Sequence, residues 1–321
     1  MKDILIVTNS ADPHADAVIS RFVETNRILR LNTEGILSDW DFDFDGSECF
    51  ISDPLGGKIN TKDIAAVWYR RPEKPVVQES MHEDLAHVKI DEAWHGLYHV
   101  LHSVSDSSWM GHPLRDKRAS SRVAQLQIAK SIGFNIPPTC ISRKAQEIRT
   151  FAGAFDDVVV KPLGNKGITS EALWIPYFSE RISSSILLEE SDAILGSTFN
   201  YLQAYIPKRR EWRITVVGRE VFPCTLDTQN ASGAESDWRR VSHDVIKHQA
   251  GILPKGMASK LFLFMDHFDL PFGAFDFIET DQGDFYFLEC NANGQWLWIE
   301  EHTGMPIAQS IADWLEDSSN R

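Results

Sequence analysis

Two apolar runs near the C-terminus, Phe272–Ile278 and Phe287–Asn291, flank the polar stretch Thr280-Asp-Gln-Gly-Asp284, and this arrangement predicts a β-hairpin. Successive side chains of a strand point to opposite faces, so Asp276 on one strand and Glu289 and Asn291 on the other are sent toward a single face. Two carboxylates and a carboxamide are hard oxygen donors that suit Mg2+, an ion that keeps several waters and completes its shell with substrate phosphates. A nucleotide is therefore implied. An ordinary hairpin with polar residues on a solvated face has the same spacing, so the rest of the chain decides between the two.

A chain of 321 residues is long enough for two or three packed units with sizeable cores. Its net charge of −14 argues against nonspecific attraction to nucleic acid or an anionic membrane. Basic residues are then expected locally, where phosphate or a substrate carboxylate must be held. The four cysteines, Cys49, Cys140, Cys224 and Cys290, are far apart and form no C-x-x-C pair, which fits a reducing cytoplasm better than a disulfide framework. Met1-Lys-Asp-Ile-Leu-Ile-Val is too short an apolar run for a signal peptide, and no segment approaches the ~20 apolar residues of a membrane helix. A soluble cytoplasmic protein with no nucleic-acid or membrane partner is expected.

Ile4–Val7 reads as a buried parallel strand, Ala15–Thr25 as a helix and Ile28–Leu31 as the next strand, the start of a βαβ unit. The loop after the first strand lacks G-x-G-x-x-G, so dinucleotide binding is not supported. Asp45-Gly46 marks a hairpin. Ile90, Trp94, Leu97, Leu101 and Val104 form the stripe of a long amphipathic helix over about 82–105. His95, His99 and His102 flank that stripe without a carboxylate or cysteine to complete a site, and receive no chemistry. A helix over about 118–132 ends at Gly133 before Pro137-Pro138, and Val158–Val160 leads into Lys161-Pro-Leu-Gly164-Asn-Lys166-Gly167. That glycine-bearing turn can fold over phosphates or be a plain surface hairpin.

The separations from Asp276 to Glu289 to Asn291, with Val158-Val-Val-Lys161-Pro and Gln203-Ala-Tyr-Ile206…Glu211-Trp-Arg213 upstream, resemble the ATP-grasp ligases. Ala66-Val-Trp68-Tyr-Arg70-Arg71-Pro, Asp237-Trp-Arg239 and Asn293-Gly-Gln-Trp-Leu-Trp298 narrow this to the ligases that macrocyclise ribosomally made peptides of the microviridin (graspetide) type. Ala292 departs from that family's Asn-Pro-Asn. The resemblance implies an α/β chain of α+β units with an ATP-grasp fold. Its parts are a Rossmann-like N-terminal domain (1–112), a central domain (113–194) and a C-terminal domain (195–321).

The resemblance further implies ATP and Mg2+, two ions being expected, held by Asp276, Glu289 and Asn291. Lys117 and Lys161 would meet the phosphates, although each is also readable as a solvated lysine. Gln203, Ala204, Tyr205 and Ile206 would offer main-chain groups to adenine. Glu211 would accept ribose hydroxyls, its plain alternative being a salt bridge with Arg209 or Arg213. Arg213 and Arg239 would grip the transferred phosphoryl group and the receiving carboxylate, against structural pairing with Asp237 or Glu235. The implied reaction is phosphorylation of a precursor Asp or Glu side chain, then displacement of phosphate by Ser, Thr or Lys to give an ω-ester or ω-amide. The partner would be a leader-bearing precursor peptide, docked on the central unit, with Glu189, Glu190 and Asp192 as an acidic candidate surface. A homodimer is expected. Trp296 and Trp298 would share one fate, as pocket wall or core. Two other readings remain: a ligase adding free amino acids to a protein or small acid, and a noncatalytic nucleotide-gated peptide-binding subunit.

Overall fold

The computed structural model describes residues 3–22, 27–77, 83–105, 109–164, 167–170, 173–233 and 237–319. Asp3–Thr8, an unbroken buried run, is flanked in parallel by Arg27–Asn32 and Ile64–Tyr69, and Trp109–Met110 extends the sheet. Both faces are covered, as a parallel sheet requires. Leu5, Val7 and Val67 pack with Leu97, Leu101 and Val104 of the stripe read from the sequence. Ile4, Ile6 and Trp68 pack instead with Ile307, Ile311 and Leu315 of the C-terminal helix Ile307–Ser319. The chain thus returns to its first sheet at its end. The first helix, Pro13–Ile19, is shorter than expected, and residues 23–25 of that expectation lie outside the described residues. The predicted hairpin pairs Asp41–Phe44 with Cys49–Ser52.

The central sheet orders Glu180–Ser183, Asp157–Lys161, Asn200–Ala204 and Thr139–Ser142, all antiparallel, over a core of Ile148, Val158, Leu187, Leu195 and Leu202. Gly167–Ser170 and Leu173–Pro176 form a separate hairpin beyond Lys161, and Asn165 and Lys166 of the expected turn lie outside the described residues. The C-terminal sheet orders Lys247–Ala250, Glu220–Asp227, Arg210–Val217, Phe272–Glu279 and Phe285–Asn291. Because Asn200–Ala204 pairs on both sides within the central sheet, the chain crosses between sheets at 205–209, beyond the boundary expected at 194/195.

The helix Arg122–Ser131 falls within the expected central span 113–194, and its Leu126 and Ala129 join the core of the C-terminal sheet with Leu261, Phe264 and Phe275. Gln125 fixes it there: its Nε2 donates to the Cys290 carbonyl and its Oε1 accepts from Cys290 N–H, both at 2.8 Å. A buried amide (1% exposed) thereby satisfies the outer strand of the sheet, a cost that would otherwise fall on two backbone groups. Trp296 and Trp298 are both buried in one core, but by packing and not by strand alternation, since Trp298 lies in the helix Leu297–Thr303.

Candidate active site

Between the central and C-terminal sheets lies an open cleft lined from both, a concave site of the kind that small molecules occupy. Strand register explains what reaches it. Arg213 stands opposite Asp276, and Asp276 opposite Glu289, while Trp212, Ile214, Phe275 and Phe277 alternate onto the core side. The ladder slips beside Asp276, and both Leu288 and Glu289 line the cleft. A bulge of this kind re-aims a side chain beside a site.

Asp276, Glu289 and Asn291 come together as the alternation requires. Asn291 Nδ2 donates to Asp276 Oδ2 (3.2 Å) and Glu289 Oε1 (3.1 Å). Arg213 Nη1 lies 2.8 Å from each Asp276 oxygen, and Arg122 Nη1 2.6 Å from Glu289 Oε2. Burial pushes the Asp276 carboxyl up to about 6, Arg213 pulling against it and Glu289 adding to the rise. Burial acts the same way on Glu289, but Arg122, Arg239 and Lys161 outweigh it and hold that carboxyl down at about 2. The Asn291 amide nitrogen lies between the two carboxylates and faces one oxygen of each. Turning the Asn291 amide over presents its oxygen instead. Among the described residues no group of three His, Cys, Asp or Glu could hold a metal. Two carboxylates and one amide leave the remaining positions to phosphate and water, which fits Mg2+.

Lys161 lines the same cleft, where burial pulls its ammonium down to about 8 against the opposing charge of Glu289. Gln203, Ala204, Tyr205 and Ile206 line the far end. Ala204 N–H is spent on the Pro138 carbonyl and Tyr205 N–H on that of Asp157, which leaves Ile206 as the main-chain donor at this end. Glu211 pairs with neither Arg209 nor Arg213 but with Lys208, Nζ to Oε1 2.6 Å, both side chains under 10% exposed (7% and 8%). Its second oxygen remains for a hydroxyl donor.

Arg239 lines the cleft in the pairing that its plain alternative described: Nε donates to Asp237 Oδ1 at 2.8 Å and Nη2 to Oδ2 at 2.5 Å. Asp237 also accepts from Ser179 N–H (3.0 Å), so this arginine is tied to the central unit. Glu235 lies outside the described residues. Lys117 is exposed on Pro113–Ala119 and does not reach the cleft, because that helix packs on Met257–Phe268, which covers the opposite face of the C-terminal sheet. Glu189, Glu190 and Asp192 lie outside the cleft. Asp192 Oδ1 is 2.6 Å from Arg149 Nη1, and Arg149 Nη2 donates to the Glu190 carbonyl at 2.5 Å. Ile186, Ile194 and Phe199, close in sequence, are exposed. Sequence reading missed Arg122 and Lys208, while Asp237 entered it as a pairing partner of the arginines. Only Lys208 carried a local signal, its i,i+3 spacing to Glu211.

Lys161→Ala is expected to weaken Mg-ADP binding while precursor binding persists. In the free enzyme Lys161 is charged below pH about 8 and loses its charge above, so nucleotide affinity should fall as pH rises through that value. Phosphate favours the ammonium, so binding at higher pH should take up a proton. Calorimetry in buffers of different ionisation enthalpy reads this directly, and absence of uptake removes Lys161 from the phosphates.

Residues 3–117 match the MvdD pre-ATP grasp domain, and residues 126–239 match the ATP-grasp domain of prokaryotic glutathione synthetase. Among solved structures, the chain is similar to a RiPP-associated ATP-grasp ligase of Chryseobacterium gregarium in complex with ADP and a leader and core peptide. The two are 29% identical over 99% of this chain and 97% of that one, with a TM-score of 0.90. The macrocyclase MdnC of Microcystis aeruginosa, bound with precursor peptide MdnA, is 26% identical over 98% and 99%, with a TM-score of 0.83. The ATP-grasp ligase PsnB, complexed with minimal precursor variant, Mg and ADP, shares the fold at 16% identity over 99% and 100%, TM-score 0.79. No curated protein matches the chain.

Proposed function

We infer, this chain being an ATP-grasp ligase of the microviridin macrocyclase family, that it crosslinks a ribosomally made precursor peptide at the cost of ATP. The observation that carries this is likeness over almost the whole length to ligases solved with precursor peptides, joined to two carboxylates and an amide that converge opposite Lys161. Asp276, Glu289 and Asn291 would hold Mg2+, which would supply positive charge against the phosphates. Lys161 attracts the phosphates, Ile206 meets the adenine edge and Glu211 accepts a ribose hydroxyl. A precursor Asp or Glu oxygen attacks the γ-phosphorus and ADP leaves. A Ser or Thr hydroxyl, or a Lys amine, then attacks the acyl carbon, loses its proton and expels phosphate, forming the ω-ester or ω-amide. Arg213 and Arg239 stabilise the negative charge that builds on the shared oxygens.

Mass spectrometry of the precursor after incubation with enzyme and Mg-ATP tests this. Loss of one water per crosslink is expected, with one ATP split to ADP and phosphate. Gain of the mass of an amino acid would establish the amino-acid-adding ligase instead. Two Mg2+ ions, a homodimer and a cytoplasmic location belong to the same proposal, the first two open to metal stoichiometry with ADP bound and to light scattering.

The leader is assigned to the acidic and apolar outer surface of the central unit, so Asp192→Lys should raise the precursor Kd and leave ATP affinity unchanged. Asp192 has a 79% exposed side chain and an internal partner in Arg149, so the effect is limited to about 1 kcal/mol or less, roughly fivefold. Wild-type affinity would move leader docking elsewhere.

A further inference from the structure

The segment Trp68-Tyr-Arg-Arg-Pro72 supplies no residue to the cleft lining, yet it touches the loop behind it. Arg70, 2% exposed at the end of strand Ile64–Tyr69, donates through Nη1 to the Asn293 carbonyl (2.9 Å) and to Asn293 Oδ1 (2.6 Å). Asn293 Nδ2 answers with bonds to the carbonyls of Tyr69 (3.1 Å) and Arg70. Gly111 permits the approach: its φ is +80° and a Cβ there would stand 2.2 Å from the Tyr69 carbonyl oxygen. Two residues along the loop, the Gln295 side chain, its oxygen turned to Arg71, accepts from Nη1 at 2.9 Å and Nη2 at 3.1 Å.

The loop's other side meets the site. The Gln295 carbonyl accepts from Arg213 Nη2 at 3.1 Å. At Gly294 a Cβ would stand 2.8 Å from that same nitrogen and 2.5 Å from Ala274 Cβ, so the contact needs glycine. Arg213 is thus held at two points, Asp276 and the 293–295 loop. Ala292 gives this loop none of the stiffness of a proline, and the N-terminal unit grips it instead.

We propose that Arg70 and Arg71 are positioning residues that hold Arg213 in its catalytic orientation through the 293–295 loop, making the N-terminal unit a part of the transfer machinery. This rests on the reading above in which Arg213 stabilises the transfer. With the loop released, Arg213 keeps only Asp276 and pivots about it. A misplacement of about 1 Å at a transfer site costs on the order of 10²-fold in rate.

Arg70→Met keeps the bulk and removes the bonds. Arg70 Nε and Nη2 are buried with no partner among the described residues, so methionine relieves an incompletely paired charge while leaving the two Asn293 acceptors without their donor. Arg71→Ala alters an exposed residue and tests the other grip with no threat to the core. The expected result with the cognate precursor is a kcat lower by about 10²-fold for Arg70→Met and by a smaller factor for Arg71→Ala. KM and Mg-ADP affinity should be unchanged, and Arg70→Lys should recover much of the loss. A kcat within twofold of wild type in Arg70→Met, or parallel loss of Mg-ADP binding, overturns the proposal. A readout independent of turnover separates this from failure of the macrocyclase reading. The guanidinium NMR signals of Arg213, assigned with Arg213→Lys, should show hindered rotation in the wild type and faster exchange in both variants. Unchanged exchange also overturns the proposal, whatever the wild-type enzyme does to the precursor.

Discussion

Asp276→Asn and Glu289→Ala should each abolish Mg-ATP-dependent crosslinking, lowering turnover by at least about 10³-fold, the equivalent of several kcal/mol of charge stabilisation at the transferred phosphoryl group. The choice of asparagine at 276 follows from the structure. Asp276 and Arg213 form an ion pair whose side chains are 14% and 6% exposed, and removing one partner of a buried pair costs about 3–5 kcal/mol of stability by stranding the other. Alanine there would confuse loss of metal with loss of fold. Glu289, 22% exposed and paired with the 24% exposed Arg122, tolerates alanine better because water can reach the arginine. Mass spectrometry of the treated precursor, beside Mg2+ titrations with ADP present, is the measurement. Full loss of water from the peptide by either variant would remove that residue from the metal.

The hairpin that carries Asp276 and Glu289 was legible because its information is local: two strands of alternating side chains and a short turn between them decide which residues share a face. The same holds for Ile4–Val7 and for the stripe of the long helix. What could not be read depends on which surfaces meet. Periodicity marks Arg122–Ser131 as a helix but says nothing about the sheet it covers. That is settled by Gln125 meeting Cys290 and by Leu126 meeting Phe264 and its neighbours, contacts of long sequence separation. Arg122 therefore reaches Glu289 unannounced, and Lys117, one helix earlier, ends behind the sheet. The place where the chain crosses between sheets is hidden for a related reason, since the strand after the polar stretch pairs backward with Thr139–Ser142 and Asp157–Lys161.

Arg213→Ala should lower the rate of crosslinking by about 10²–10³-fold, the usual consequence of losing a preorganised donor to a developing negative charge, while Mg-ADP still binds; it also strands the buried Asp276 at a cost of about 3–5 kcal/mol, so the rate is read on protein shown to be folded. Arg213 is fixed before any substrate arrives, by both oxygens of Asp276 and by the Gln295 carbonyl, so its orientation costs nothing during the reaction. Its charge also keeps Asp276 ionised: without it, burial and the neighbouring Glu289 would raise that carboxyl further above about 6. The variant should then need more Mg2+ below neutral pH, where a larger share of Asp276 is protonated, and should approach wild-type Mg2+ dependence as pH rises. Arg213→Lys should repair this dependence, because an ammonium near Asp276 restores the charge. It should leave much of the rate defect, since a single compact nitrogen lacks the planar fork that spans Asp276 and the loop together. Rapid-quench measurement of ADP and crosslinked peptide at several pH values separates the two effects. A lysine variant within tenfold of the wild-type rate would show that Arg213 acts only as the counter-charge of Asp276, and the oxyanion role would pass to Arg239.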